Sequence, residues 1–274
     1  MADWTAFRKG IVLWEDDSTL VVNKPPGLSV MGERHDTDLV TMAAESGEPL
    51  WWVNRIDKVT SGAVVLAKTQ KAHSALTRQF AARTVDKAYL AICRPGHFPG
   101  KGSIDLPLLT PGSGRIRVAA ERQHIEHDGQ LGTWYVDAAN LLPRKNYPSR
   151  TDYLSLWDDD QQAVVLALPV TGRRHQIRVH FAWVGHAIVG DPLFSKEADV
   201  PASRTYLHSL QIAFETATPQ PRWVEVKAKP DADFWEPVVR RLSPDSPDDL
   251  LETAEATLSS QDLRVWAHTA SPRN

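Results

Sequence analysis

The chain has 274 residues, 42 % of them hydrophobic and 24 % charged, which suits a globular protein with one large core or two small ones. The longest apolar run, residues 163–168, is far short of a membrane span, which needs about 20 residues; the amino terminus has no apolar stretch of the kind that makes a secretory leader. A single cysteine, Cys93, excludes an intrachain disulfide or a cysteine-rich metal site and fits a reducing, cytoplasmic setting.

The net charge of −3 is unevenly spread. Residues 231–274 sum to −5, whereas residues 58–104 sum to +7: Lys58, Lys68, Lys71, Arg78, Arg83, Lys87, Arg94 and Lys101 stand against the single acid Asp86. A block of that sign can follow a phosphate backbone. The alternative is a solvated helix face with its loops.

In chain order, residues 11–14 and 20–23 read as strands around a turn at Glu15-Asp16-Asp17-Ser18. Lys24-Pro25-Pro26-Gly27 then ends the second strand, because two prolines remove ladder donors. A short helix is predicted over 38–45, an apolar segment over 50–53 and a buried strand over 62–67. Thr69 caps a helix in which Ala72, Leu76 and Phe80 recur every four residues, leaving Lys71 and Arg78 elsewhere on its surface. Residues 86–93 alternate as a strand. The stretch 95–148 is rich in glycine, proline and charge, with candidate hairpin strands at 115–118 and 134–137. Strand character resumes at 153–157 and 163–168, a helix is predicted from Thr171-Gly172 to about Val184, and late strands at 207–214 and 223–227. After Pro244 the chain turns acidic and predicts a surface helix or loose tail. Many strands with interspersed helices favour a mixed α+β fold over a doubly wound parallel one.

Four constellations carry chemistry. Asn54-Arg55-Ile56-Asp57-Lys58-Val59-Thr60-Ser61-Gly62 lies between two apolar strands and must be a loop. Its flanking cations favour ionised Asp57, which suits a nucleophile or base; the plainer reading is a turn in which Asp57 accepts hydrogen bonds from Thr60 or Ser61. Lys87 and Tyr89 share one strand face, with Tyr89 either a core aromatic or a platform for an extruded base. In Thr171-Gly172-Arg173-Arg174-His175-Gln176-Ile177-Arg178-Val179-His180, a helical reading puts Arg174 and Arg178 on one face with His175 beside them, able to hold phosphate or a buried carboxylate. The two histidines lack the i,i+4 spacing of a metalloprotease helix, so no metal is expected. Gly185-His186-Ala187-Ile188-Val189-Gly190-Asp191-Pro192-Leu193-Phe194 reads as a structural turn.

Together and in this order, these blocks resemble the RluA-like family of RNA pseudouridine synthases. The catalytic loop of that family looks like His-Arg-Leu-Asp, a charged pair and Thr-Ser-Gly, to which residues 54–62 correspond. Val22-Asn23-Lys24-Pro25-Pro26-Gly27, Lys87-Ala88-Tyr89, the 172–180 block, Gly185-His186 with Gly190-Asp191-Pro192, and Leu207-His208 match further. The chain departs at Asn54, where the family has histidine, and at Val59, where it has an acid; both changes are expected to alter loop packing or substrate contacts without abolishing the reaction. The small N-terminal RNA-binding domain of many relatives is not expected.

The resemblance implies an α+β pseudouridine synthase fold: a mixed, largely antiparallel β-sheet with flanking helices and a central catalytic cleft. It implies a catalytic domain over residues 1–243 with a variable insertion at about 95–150, and a C-terminal tail or surface helix over 244–274. The implied activity is cofactor-free isomerisation of uridine in ribosomal or transfer RNA, with no membrane and no obligatory protein partner. Asp57 is the implied catalytic carboxylate, with attack on ribose, addition to the base and proton removal all open. Arg178 matches the arginine that pairs with it, and Tyr89 stacks on the target base. Arg55 fills the space left by that base, Ile177 forms pocket wall, and Lys87, Arg174 and His175 contact substrate. A rival reading keeps the fold as a catalytically inactive RNA-binding protein. A hydrolase built on Asp57 and His175 is disfavoured by the lack of a Gly-x-Ser-x-Gly elbow.

Overall fold

In the computed structural model, which describes residues 4–32, 37–110, 115–195 and 203–260, helix α1 (Trp4–Ile11) leads straight into strand β1 (Val12–Glu15). Helix α1 corrects the expectation that the chain opens on a strand at residue 11. Trp4, Phe7 and Ile11 fall on one helical stripe and pack into the core; the intervening Arg8-Lys9-Gly10 hides that stripe in the sequence. The turn before β2 (Thr19–Lys24) is made by Asp16, whose Oδ1 accepts from the backbone N–H of Ser18 and Thr19, both at 2.8 Å. Helix α2 (Leu39–Glu45) starts at Asp38, whose carboxylate accepts from Thr41 N at 2.9 Å. Strands β3 (Trp51–Trp52) and β4 (Ser61–Ala67) follow. Thr69 caps α3 (Gln70–Ala82), accepting from Ala72 N at 3.1 Å.

Strand β5 (Asp86–Arg94) precedes a run of short elements: β6 (Lys101–Asp105), β7 (Leu108–Leu109), β8 (Arg117–Val118), β9 (Glu126–Asp128) and β10 (Thr133–Tyr135). The hairpin β11 (Arg150–Asp158) and β12 (Ala163–Pro169) leads to α4 (Gln176–Trp183) and β13 (Ala187–Ile188). Strands β14 (Leu207–Glu215) and β15 (Trp223–Lys227) and helix α5 (Pro247–Ser259) complete the chain as described.

The chain divides into two units, Met1–Leu90 with Val200–Pro230 and Ala91–Asp199 with Asp231–Asn274. In the first, β2 lies antiparallel between β1 and β4, β4 runs parallel to β14 and also takes β3, and β15 pairs antiparallel with β14. Every residue of β4 is buried because both its faces are covered. Val21, Ala63, Val65 and Ala67 point to the side of α3, where Ala72 and Leu76 sit. Leu20, Val22, Val64 and Leu66 point the other way, onto Trp4 of α1 and Leu39, Met42 and Ala43 of α2. Each such valine or leucine contributes about 1.5–3 kcal/mol by leaving water, so the sheet is clamped from both sides.

In the second unit β11 pairs antiparallel with β12 and with β6, and β6 runs parallel to β10, whose other edge takes β9. The expected hairpin strands near 115–118 and 134–137 are β8 and β10, and they pair with β7 and with β6 and β9 rather than with each other. Residues 176–182 of α4 are all buried. Leu250, Leu251 and Ala254 of α5 are buried as well. Strand pairing is thus mostly antiparallel and the fold class is α+β, as the sequence predicts.

Helix α4 begins four residues later than the pattern suggests. His175 takes a left-handed conformation, φ 57°, and the Gln176 amide holds the preceding turn. Its Oε1 accepts from Thr171 Oγ1 at 2.6 Å and Arg173 N at 3.1 Å, while Nε2 donates to Arg150 O at 2.9 Å and Thr151 Oγ1 at 3.0 Å. All four hydrogen-bonding positions of the amide are filled, so residues 171–175 are a fixed turn instead of a first helical turn.

Candidate active site

The loop between β3 and β4 carries Asp57 half-buried, with Ile56 tucked into the core and Arg55 exposed. Three clips fix its backbone. The Asn54 side chain accepts from Val65 N at 2.8 Å, Gly27 N donates to Lys58 O at 2.8 Å, and Thr60 N donates to Asp57 O at 3.0 Å. The second clip requires Gly27, whose φ of +83° lets the Lys-Pro-Pro-Gly turn reach the loop. Arg55 lies over the Trp52 ring at 5.3 Å, an amphipathic pairing that orients the guanidinium without burying it.

Beneath this loop sits Lys24, fully buried. Its ammonium donates to Pro25 O at 2.8 Å, Leu28 O at 2.7 Å and Lys58 O at 3.3 Å. Burial pushes its pKa down to about 7, Asp57 pulls it up, and Arg204 pushes it down further. In its protonated form Lys24 therefore acts electrostatically on the Asp57 carboxylate.

Tyr89 packs against the core cluster containing Ile56 and Val22. Burial raises its phenol to about 12, a hydrogen bond with Ser209 opposes the rise, and the negative charge of Asp57 adds to it. Tyr89 is therefore a neutral phenol beside an anionic neighbour. Lys87, two residues before it on the strand, has a pKa lowered to about 8 by burial, reinforced by Arg83 and opposed by Asp86.

The far end of the loop is locked by a second network. Ser61 Oγ bonds His208 Nδ1 at 2.8 Å and accepts from Arg204, and His208 Nε2 bonds Ala228 O at 2.8 Å. Because a carbonyl only accepts, His208 Nε2 donates to Ala228 O. Thr60 Oγ1 is buried without a hydrogen-bond partner. The Ser61 hydroxyl is thus committed to His208 and Arg204. Next to Ser61, Gly62 has φ +109°, and a Cβ there would lie 2.3 Å from Ser209 O.

In the second unit, Arg178 is 2 % exposed and forks onto Asp191, with Nε to Oδ2 at 2.7 Å and Nη2 to Oδ1 at 2.8 Å. The Asp191 carboxylate also accepts from Leu193 N at 2.8 Å and Phe194 N at 3.1 Å, so the Gly-Asp-Pro turn shapes itself around the guanidinium. Phe194 lies under Arg178 at 5.3 Å and edge-on to His175 at 5.7 Å. Ile177 is buried, whereas Arg173 and Arg174 are exposed. Arg174 and Arg178 therefore do not share a face. His180 is buried and bonds Thr151 Oγ1 at 2.9 Å and Leu106 O at 3.0 Å; burial pushes its pKa down to about 4. It is a neutral core histidine.

Asp57, Tyr89, Arg55 and Lys87 thus belong to one unit, and Arg178, Ile177, Arg174 and His175 to the other. The burial of Lys24 and the roles of Ser61, Arg204 and Asp191 escaped the sequence reading. The signals for them were a lysine closing an apolar strand and an aspartate held between glycine and proline. Among the described residues no group of three His, Cys, Asp or Glu side chains could hold a metal ion.

The family model described as RNA pseudouridylate synthase matches residues 18–183. The chain is 35 % identical over 210 residues to the dual-specificity RNA pseudouridine synthase RluA of Vibrio parahaemolyticus, covering 74 % of this chain and 76 % of that protein. It is 34 % identical over 204 residues to the RluA of Escherichia coli, covering 73 % and 84 %. Among solved structures, the human RNA pseudouridylate synthase domain containing 4 superposes with a TM-score of 0.67 at 25 % identity, over 86 % of this chain and 94 % of that one.

Proposed function

Because this chain belongs to the RNA pseudouridylate synthase family, we propose that it isomerises uridine in ribosomal or transfer RNA with Asp57 as the catalytic carboxylate. The family chemistry breaks the bond from ribose C1′ to uracil N1, turns the base and joins C1′ to C5; the C5 proton leaves and N1 gains one, so atoms balance without a cofactor. The relatives are named dual-specificity enzymes, and we extend to this chain the reading that more than one RNA is a substrate.

The observation that carries the assignment is the environment of Asp57. It sits in a loop clipped at three backbone points, beside the buried Lys24 amine and near a neutral phenol. A carboxylate so held acts on the reacting nucleoside without first reorganising its surroundings. Tyr89 is the proposed stacking platform and, held protonated by its raised pKa, a hydrogen-bond donor rather than a base. Arg178 is the arginine that the family resemblance assigns to the carboxylate, and its fork to Asp191 supports it as a fixed, permanently charged group. Arg55 is proposed to occupy the stack once the base is drawn out, Ile177 to line the pocket, and Lys87, Arg174 and His175 to contact the RNA. Extrusion of the base costs a few kcal/mol of unstacking. The proposed setting is the cytoplasm, supported by the one buried cysteine.

The test is Asp57→Asn. Conversion of uridine to pseudouridine in RNA from cells lacking the gene falls below detection, while RNA affinity stays within about twofold of wild type. Substantial turnover by this variant defeats the assignment, and absence of product from wild type leaves the inactive RNA-binding reading.

A further inference from the structure

Resting on that reading, we propose that Tyr147, with Lys145 and Arg173, forms a second contact for substrate RNA, a platform for one unpaired nucleotide outside the catalytic loop. Among the described residues Tyr147 is one of the few exposed large aromatics, at 37 %. Its backbone is nevertheless held in place. Its N–H donates to Leu108 O at 2.8 Å, its carbonyl accepts from Leu108 N at 2.9 Å, and Ser149 Oγ donates to that same carbonyl at 2.8 Å. Leu108 lies on β7, whose other partner is β8, so Tyr147 is the third strand position of a small ribbon.

Two cations address its ring: Lys145 Nζ at 5.6 Å from the centroid and the Arg173 guanidinium at 5.3 Å. Arg173 is steadied by a bond from Nε to Pro148 O at 3.4 Å. Arg144 and Arg174, both exposed, extend the same positive sequence segments. Among the described residues none of these four cations is in a salt bridge with a carboxylate. A structural ion network does not account for cations that gather on an exposed ring without an acidic partner. A nucleotide accounts for both: every base has a π-face for the phenol, and its phosphates meet the ammonium and guanidinium. The preference is for single-stranded RNA, where bases are free to splay onto an aromatic.

The test is the affinity of the full chain for a fluorescein-labelled single-stranded oligouridylate, by anisotropy across a salt titration. Tyr147→Ala weakens binding by about tenfold, the scale of one lost base stack, while Tyr147→Phe, which keeps the ring, stays within about twofold of wild type. Lys145→Gln lowers the slope of log affinity against log salt by about 0.7, the value for one phosphate contact on a single strand. Unchanged affinity in Tyr147→Ala, equal weakening in Tyr147→Phe, or an unchanged slope in Lys145→Gln overturns the platform. Pseudouridine formation by wild type on unmodified bulk RNA is read in parallel. Product there with unchanged Tyr147→Ala affinity overturns the platform alone, whereas no product overturns the enzymatic premise and the substrate role with it.

Discussion

Lys24 and Lys58, far apart in sequence, meet where the buried Lys24 ammonium donates to the Lys58 carbonyl at 3.3 Å, one residue beyond Asp57. The Lys-Pro-Pro-Gly turn and the 54–62 loop are thereby one mechanical piece, since Gly27 N reaches the same carbonyl at 2.8 Å. The three carbonyls around Lys24 match the three donors of a charged amine.

This arrangement makes stability depend on pH. Burial holds the folded pKa near 7, below the ordinary 10.5, so between those values the unfolded chain binds the proton that the folded chain gives up. The cost of burying the charge is therefore full below about pH 7 and is relieved as pH rises toward 10.5. Wild type is expected to gain stability relative to Lys24→Met over that window, by at most about 1.4 kcal/mol per pH unit. Urea denaturation of both proteins at several pH values checks it; parallel stability curves would refute it.

Tyr89→Phe separates stacking from proton chemistry. The ring and its core contacts remain, so RNA affinity is expected to hold. The turnover number falls about a hundredfold, the lower end of general acid–base contributions. Because the phenol stays protonated up to about pH 12, the wild-type rate has no alkaline limb from Tyr89 at lower pH. An alkaline limb that vanishes in Tyr89→Phe contradicts this.

Asp191→Ala removes the carboxylate that the Arg178 Nε and Nη2 both reach at 2 % exposure. Breaking such a buried pair costs about 3–5 kcal/mol, and two backbone donors, Leu193 N and Phe194 N, lose their acceptor as well. The double variant Arg178→Met with Asp191→Leu recovers part of that stability but no activity. Chemical denaturation and pseudouridine assays on the three proteins test the pair. Full activity in the double variant would remove Arg178 from the site.

Gly62→Ala is expected to fail for two reasons that act together. Its φ of +109° lies outside the region ordinary residues adopt, and the new Cβ would overlap the Ser209 backbone at 2.3 Å. The variant either does not fold or melts well below wild type with little turnover. A melting temperature within a few degrees of wild type would show that β4 and β14 can part locally.

Much of this was written in the sequence where a local rule suffices. The Thr69 cap, the uniform apolar run of β4 and the alternation of β5 each specify their element with neighbours a few residues away. What stayed hidden depends on distant partners. Helix α1 is interrupted on its surface by Arg8, whose guanidinium reaches Glu15 and Glu48. The start of α4 is set by the Gln176 amide bonding across to β11. Of the site, the motif residues were legible as a group, yet the burial of Lys24 and the forked grip of Asp191 on Arg178 were not. Both rest on polar groups satisfied inside the protein, which residue type alone assigns to the surface.

The seclusion of the Arg178–Asp191 fork also bears on handling the enzyme. Mobile ions shield charges that face water and scarcely reach a pair at 2 % and 0 % exposure. Salt strong enough to screen exposed cations such as Lys145, Arg173 and Arg174 therefore leaves this fork closed, and a preparation washed in it keeps its buried guanidinium in register.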